Sequence, residues 1–243
     1  VTLVRTQAFL LRKRDYSDTS LIVVFFTLDF GKIQFIIKGA KNKKGSFFGS
    51  FEHCSCYEIS FQQRHGHHGL ILLREARLIE SFSEIRGDLD RFYYASYCME
   101  LLDAFMELED SDPALFNFVF ESFNRMRHEK DLELWTRSFE IELLNHLGFF
   151  GNFAFCSSCQ APFQENIYLD QRSTRLFCPS CSKKEYVPYR WDHLKWLSDL
   201  QKRSTSEIPQ DARSEIKKLL WFYIDFHLGK PLKSRKFISP GVK

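Results

Sequence analysis

Hydrophobic residues change their spacing at Arg86-Gly87, and that change limits the chain to an α+β architecture with strands first and helices after. Before it the period is two. In KIQFIIKGA, Ile33, Phe35 and Ile37 fall on one face, and VRTQAFLLRKR, SLIVVFFTLDF, CYEISFQQ and GLILLREARLIE read as four further strands. Five strands within residues 1–82 suit a small closed barrel, of which the five-stranded OB-fold is the commonest nucleic-acid binder; fragments of a sandwich are the alternative.

After Arg86 the period is helical. Phe92, Tyr93, Ser96, Tyr97, Met99, Leu101, Leu102 and Phe105 share a stripe, on which Cys98 reads as an inert core thiol. Asp112 and Pro113 start a second helix as N-cap and first residue, and Gly148 ends a third. WDHLKWLSDLQKR and SEIKKLLWFYIDFHLGKP supply the last helices, with Ile216, Leu219, Leu220, Tyr223 and Phe226 at helical spacing before Gly229. The expected organisation is multidomain: a barrel over 1–82, an α-helical bundle over 83–150 and 187–243, and a four-cysteine, zinc-ribbon-like hairpin inserted at 151–186.

Within that insertion, Cys156-x2-Cys159-x18-Cys178-x2-Cys181 has the spacing of one tetrahedral zinc site, with IYLDQRSTRLF as a hairpin bringing the two turns together. One structural zinc per chain is expected. Four protein thiolates leave no position for water or substrate. A deaminase would need H-x-E upstream of its P-C-x-x-C, and His128-Glu129 has the wrong spacing. A redox centre would need a single C-x-x-C beside a βαβ pattern.

Charge is segregated. Residues 1–86 hold 13 Lys/Arg against 8 Asp/Glu, residues 87–150 hold 5 against 14, and residues 151–243 hold 16 against 9. Basic ends around an acidic middle imply a polyanion partner, or mutual neutralisation within one fold. The loop KGAKNKKGSFFGSF combines Lys38, Lys41, Lys43 and Lys44 with Phe47 and Phe48, pairing phosphate-neutralising charge with rings on which bases can stack; otherwise the rings plug the barrel end. Arg12, Lys13 and Arg14 extend this candidate surface. In the basic tail, Lys230, Lys233, Arg235 and Lys236 form a candidate site for an acidic peptide or phosphate.

RHGHHG at 64–69 reads as a polar turn, and Cys54 and Cys56 pack on one strand face. There is no nucleophile elbow, H-E-x-x-H, G-x-G-x-x-G or Walker loop, so the expectation is a protein that is not an enzyme. No apolar run reaches membrane length and the N-terminal segment lacks the pattern of a secretory signal, so a cytoplasmic protein with no membrane partner is expected.

The order of parts resembles the bacterial RecO recombination mediators, most specifically in TLDFGKIQFIIKGAKNKKGSFFGSFE, YCMELLDAF, FEIELLNHLGFFGNFAFCSSC and GKPLKSRKFI. The resemblance implies a non-enzymatic, nucleoid-associated protein that binds single- and double-stranded DNA and anneals complementary strands. With a RecR-like partner it would help load RecA onto DNA coated by single-strand-binding protein. It also implies that Lys38, Lys41, Lys43 and Lys44 face DNA, and that Cys156, Cys159, Cys178 and Cys181 hold zinc. The alternative is an adaptor that docks acidic peptides through its basic C-terminal half.

Overall fold

The computed structural model describes residues 2–42, 47, 51–63, 70–151, 153–202 and 208–238. Two compact units emerge, Val1–Glu129 together with Leu232–Lys243, and Lys130–Pro231.

In the first unit, β1 (Thr2–Asp15), β2 (Leu21–Thr27), β3 (Gly31–Ile37), β4 (Cys56–Gln63) and β5 (Ile71–Glu80) close into a barrel in the order β1-β2-β3-β5-β4. Closure depends on β1, which is long enough to pair with β2 through Ala8–Asp15 and with β4 through Thr2–Phe9. A register shift between Leu10 and Arg12 lets it bend between the two partners. All pairings are antiparallel except β3 with β5. Alternate residues fill the interior, including Val23, Phe25, Ile33, Phe35, Ile37, Tyr57, Ile59 and Phe61.

The outer face of β1 and β2 is also buried. Phe9 lies 5.3 Å from Phe116, 5.8 Å from Phe123 and 6.0 Å from both Phe82 and Phe120, measured between ring centroids, and Phe26 lies 5.4 Å from Phe116. These partners belong to α3 (Pro113–Met126) and the lead-in to α1 (Ser83–Gly87), with α2 (Leu89–Phe105) between the two helices in sequence. LIVVFF is continuously apolar because one set of its side chains fills the barrel and the other packs outward. This double use explains much of the chain's 26 phenylalanines. Each fully buried ring contributes about 1.5–3 kcal/mol.

Helix α2 stops at Phe105, because Met106 is extended and the chain runs on beside β3. There Leu108 bridges Lys32, the Glu109 N–H donates to Lys32 O at 3.0 Å, and Lys32 Nζ donates to Asp103 O at 2.7 Å. Gly31, at φ 65°, has no room for a side chain, since an added Cβ would stand 2.0 Å from Asp110 O. Asp112 caps α3 by accepting from the Leu115 N–H, with Pro113 at the first turn, as the sequence predicts. A 3-10 turn, Lys233–Phe237, returns to α2: Glu100 accepts from the N–H groups of Lys233 and Ser234 and from the Ser234 hydroxyl, and Phe237 stacks on Tyr93 at 5.1 Å.

The second unit contains α4 (Leu132–His146), β6 (Ile167–Asp170), β7 (Arg175–Phe177), β8 (Val187–Tyr189), α5 (Trp191–Leu194), α6 (Leu197–Gln201) and α7 (Gln210–Leu228). Helix α4 packs on α6 and α7, and α5 on α7. Gly148 and Gly229, at φ 71° and 69°, follow the ends of α4 and α7 as expected. The expected helix WDHLKWLSDLQKR is instead two short pieces. At the junction the Trp196 N–H donates to His193 O and the Ser198 N–H to Lys195 O, both at 3.4 Å, and these shorter-range bonds interrupt the α-helical ladder. His193 lies between two carboxylates, with Nδ1 2.5 Å from Glu215 and Nε2 3.1 Å from Asp211, fixing α5 to α7. Arg137 and Glu140 form a buried ion pair at 2.9 Å within α4.

Candidate metal centre and nucleic-acid surface

The expected hairpin is present. Antiparallel β6 and β7 pair Tyr168 with Phe177, Leu169 with Leu176 and Asp170 with Arg175, and β8 adds a third strand on the other side of β6. Asp170 shapes the turn by accepting from the Arg172 N–H at 3.0 Å and the Ser173 hydroxyl at 2.6 Å. Each C-x-x-C pair forms its own tight turn at the hairpin base. In the first, the Gln160 N–H donates to Cys156 O at 3.0 Å, with Gln160 in the left-handed region at φ 60°. In the second, Pro179 opens a 3-10 turn closed by the Cys181 N–H on Cys178 O at 3.1 Å. A bond from the Ser157 N–H to Leu176 O, 2.9 Å, joins the first turn to β7.

This framework places the sulfurs of Cys156, Cys159, Cys178 and Cys181 within 4.8 Å of one another, so the four can bind a metal ion. Cys159 Sγ and Cys178 Sγ are 3.8 Å apart. Four sulfurs about 2.3 Å from one ion in a tetrahedron stand about 3.8 Å apart, so this pair already has the separation of zinc-bound sulfurs and the four-thiol donor set is compatible with zinc. Burial opposes ionisation of Cys156, but backbone N–H groups of Cys159, Cys178 and Ser158 outweigh it and bring the thiol down to about 6. The neighbouring sulfurs Cys178 and Cys159 push Cys181 up to about 12. Four crowded thiols cannot all ionise without a cation among them, which is the electrostatic case for a metal. Cys54 and Cys56, by contrast, are pushed by burial to about 12 and lie in the core as unreactive groups.

At the barrel, the end of β1, the start of β2 and the end of β3 lie together, as the pairings Asp15–Leu21 and Leu21–Ile37 require. Arg14, Lys38 and Lys41 therefore share one barrel end, and Arg14 and Lys38 are exposed. Lys41 pairs with Asp15 at 2.9 Å. Lys13 donates to Phe51 O at 2.6 Å, and Arg12 pairs with Asp103 at 3.0 Å. Phe47 stacks on Phe51, 5.9 Å between centroids, against the barrel core. Lys43, Lys44, Phe48 and the turn 64–69 lie outside the described residues. In the basic tail, Lys233 and Lys236 are exposed and Arg235 is buried.

Comparison with known proteins then decides the lineage. The family model described as "Recombination protein O N terminal" matches residues 1–82, and that described as "Recombination protein O C terminal" matches residues 86–236. The chain belongs to the RecO family. Proteins named "DNA repair protein RecO" are similar to it along their length: that of Syntrophus aciditrophicus is 32% identical, covering 97% of this chain and 95% of the relative. That of Pelobacter propionicus is 31% identical, covering 96% and 95%, and that of Halalkalibacterium halodurans is 27% identical, covering 97% and 94%.

The T-x-x-x-G-K-I stretch that carries the RecO resemblance has structural work to do here. Thr27 Oγ1 donates to Gly31 O at 2.8 Å and accepts from the Phe30 N–H at 3.0 Å, tying the turn. Gly31 provides the close approach to Asp110, and Lys32 is buried with its amine committed to Asp103. No sequence pattern announces the residues that position the cysteine hairpin, chiefly Tyr223. It lies on the apolar stripe of α7, where its hydroxyl is indistinguishable from core filler until its partner is known.

Proposed function

We propose that this chain is a DNA-binding and strand-annealing recombination mediator, without catalytic activity of its own. The observation that carries this reading is a family match running from the barrel through the cysteine hairpin, joined to a barrel whose one end collects Arg14, Lys38 and Lys41. Five strands closing in the order β1-β2-β3-β5-β4 support an OB-fold, a scaffold suited to tracking a single strand. In this reading Arg12, Arg14, Lys38, Lys41, Lys43 and Lys44 neutralise phosphates and Phe47 and Phe48 stack on bases. The ion pairs of Arg12 and Lys41 each have one solvent-exposed partner, so phosphates can compete for the two cations.

Residues 1–82 form the nucleic-acid module, a division supported by the end of the N-terminal family match. The helical module spans 83–150 and 187–243, with 151–186 as a zinc-held insertion. One zinc bound by Cys156, Cys159, Cys178 and Cys181 is structural, because four thiolates leave no site for substrate. The chain acts at the nucleoid with a RecR-like partner, on strands coated by single-strand-binding protein, to assist RecA.

Strand annealing by the purified protein, with and without ATP, tests the activity; ATP dependence would contradict it. If about four cations of the barrel end meet phosphates, they contribute about −3 to the log–log salt slope on single strands. Replacing Lys38, Lys41, Lys43 and Lys44 with alanine flattens that slope; unchanged affinity would remove this loop from the interface. A preference for acidic peptides over DNA at two salt concentrations would favour an adaptor docking through Lys233, Arg235 and Lys236.

A further inference from the structure

The small sheet of the second unit has two unlike faces. Ile167, Leu169 and Leu176 point one way and are buried. The other way point Tyr168 and Phe177, directly opposite each other across β6 and β7, with Asp170 and Arg175 as the next pair on that side. Tyr186 joins the aromatic pair, its ring 5.0 Å from Phe177 at an interplanar angle of 30°. All three rings are only half-buried.

Four exposed cations belong to this region: Arg175 stands on the face itself, Arg172 and Lys183 act on Asp170 there, and Lys184 follows in sequence. Among the described residues no carboxylate lies within ion-pairing distance of any of the four. Asp170, on this face, spends its oxygens on Ser173 and the Arg172 N–H and lies in the fields of Arg172 and Lys183, while exposed Glu185 stands between Lys184 and Tyr186 in sequence. Three partly open rings on and beside a sheet fastened at its base, with exposed cations that form no close ion pair, match an unstacked polyanion: the rings accept bases face-on and the cations accept phosphates. A duplex keeps its base faces hidden and could use only the cations.

We propose that this face of the cysteine hairpin is a second binding surface for single-stranded DNA, separate from the barrel end. The inference rests on the DNA-binding reading above and gives the metal a further consequence, since fastening the hairpin base also fixes the platform. A competing account assigns the cations to charge balance, because four thiolates around one dication leave two surplus negative charges.

The test uses the zinc-loaded full chain. Wild-type protein is cross-linked by light to oligothymidylate carrying 5-bromouracil, and the linked peptides are mapped; adducts at Tyr168, Phe177 or Tyr186 are expected. In parallel, salt-titrated binding compares wild type with a hairpin variant (R172Q/R175Q/K183Q/K184Q) and a barrel-end variant (R14Q/K38Q), each with zinc content and melting measured. The hairpin variant is expected to lose about 2–3 from the magnitude of the salt slope, and Y168A/F177A about tenfold or more in affinity per ring. A wild-type slope in the hairpin variant, with no adduct in the hairpin, overturns the inference while leaving the barrel reading intact. A hairpin variant that sheds zinc yet keeps its slope assigns the cations to charge balance and also overturns it. No binding by the wild type removes the DNA reading itself. Should the hairpin variant fail to fold, the cross-link map of the wild type decides alone.

Discussion

Tyr223 in α7 donates its hydroxyl to the carbonyl of Thr174, 2.5 Å away, in the turn between β6 and β7. This bond ties the tip of the cysteine hairpin to the longest helix of its unit, while the cysteines hold its base. Phe153 packs on the same ring at 5.7 Å. Tyr223→Phe keeps the ring and removes the tie, and is expected to destabilise the second unit by about 1–2 kcal/mol. Chemical denaturation monitored beside zinc release by a chelator checks it. Faster zinc loss with unchanged stoichiometry is the expected signature; identical release kinetics would show that the cysteines hold the hairpin unaided.

Docking of residues 232–238 onto α2 should depend on acidity. Burial works against the charge on Glu100, but hydrogen bonds from the Ser234 hydroxyl, Ser234 N–H and Lys233 N–H outweigh it and hold the carboxyl below its ordinary 4.5. A depressed carboxyl contributes stability that is fully present above pH 4.5 and lost as pH falls through its lower folded value. Protection factors in 232–238, with exchange corrected for its intrinsic pH dependence, are therefore expected to fall on acidification below that range, and to be low already at pH 7 in Glu100→Gln. Equal protection in the two proteins at pH 7 would contradict the role of the carboxylate.

Gly31 cannot accept a side chain. Its φ of 65° and the 2.0 Å separation between a built Cβ and Asp110 O together oppose substitution. The left-handed conformation costs about 1–2 kcal/mol and overpacking about 1–3 more, so Gly31→Ala is expected to lose about 2–5 kcal/mol. Thermal melting measures it. A melting temperature within a degree or two of wild type would mean that the 106–111 segment yields without cost.

The ion pair of Arg137 and Glu140 is almost wholly buried, at 1% and 0% side-chain exposure. Arg137→Met takes the guanidinium from a buried carboxylate and is expected to cost about 3–5 kcal/mol. Arg137→Met/Glu140→Leu should recover most of that, short of the hydrogen bond that Trp221 Nε1 makes to Glu140 at 3.3 Å. Denaturant titration of both variants tests the order; a double variant less stable than the single would refute it.

Local patterns made much of this molecule readable in advance. Alternation placed Ile33, Phe35 and Ile37 inside the barrel, Asp112-Pro113 marked a helix start, and the spacing of Cys156, Cys159, Cys178 and Cys181 brought four sulfurs together. Each depends on residues close in sequence or on a repeat. The contacts that escaped notice are pairings over long separations: Gly31 against Asp110, Glu100 against Ser234, Tyr223 against Thr174. A glycine, a carboxylate or a tyrosine hydroxyl looks alike in any setting until its partner is known. The 26 phenylalanines carry no label of their own in the sequence, because a ring packing outward from a barrel and a ring offered to a base are the same residue.

The return of residues 232–238 to α2 also bears on how the chain is made. The barrel and its first three helices leave the ribosome well before that segment, which follows only after all of Lys130–Pro231 has been synthesised. Until then Tyr93 and Glu100 lack their final covering. The first unit thus emerges early and is completed late, so slow translation or premature termination past residue 129 should leave this flank of α2 open and recognisable to chaperones and proteases.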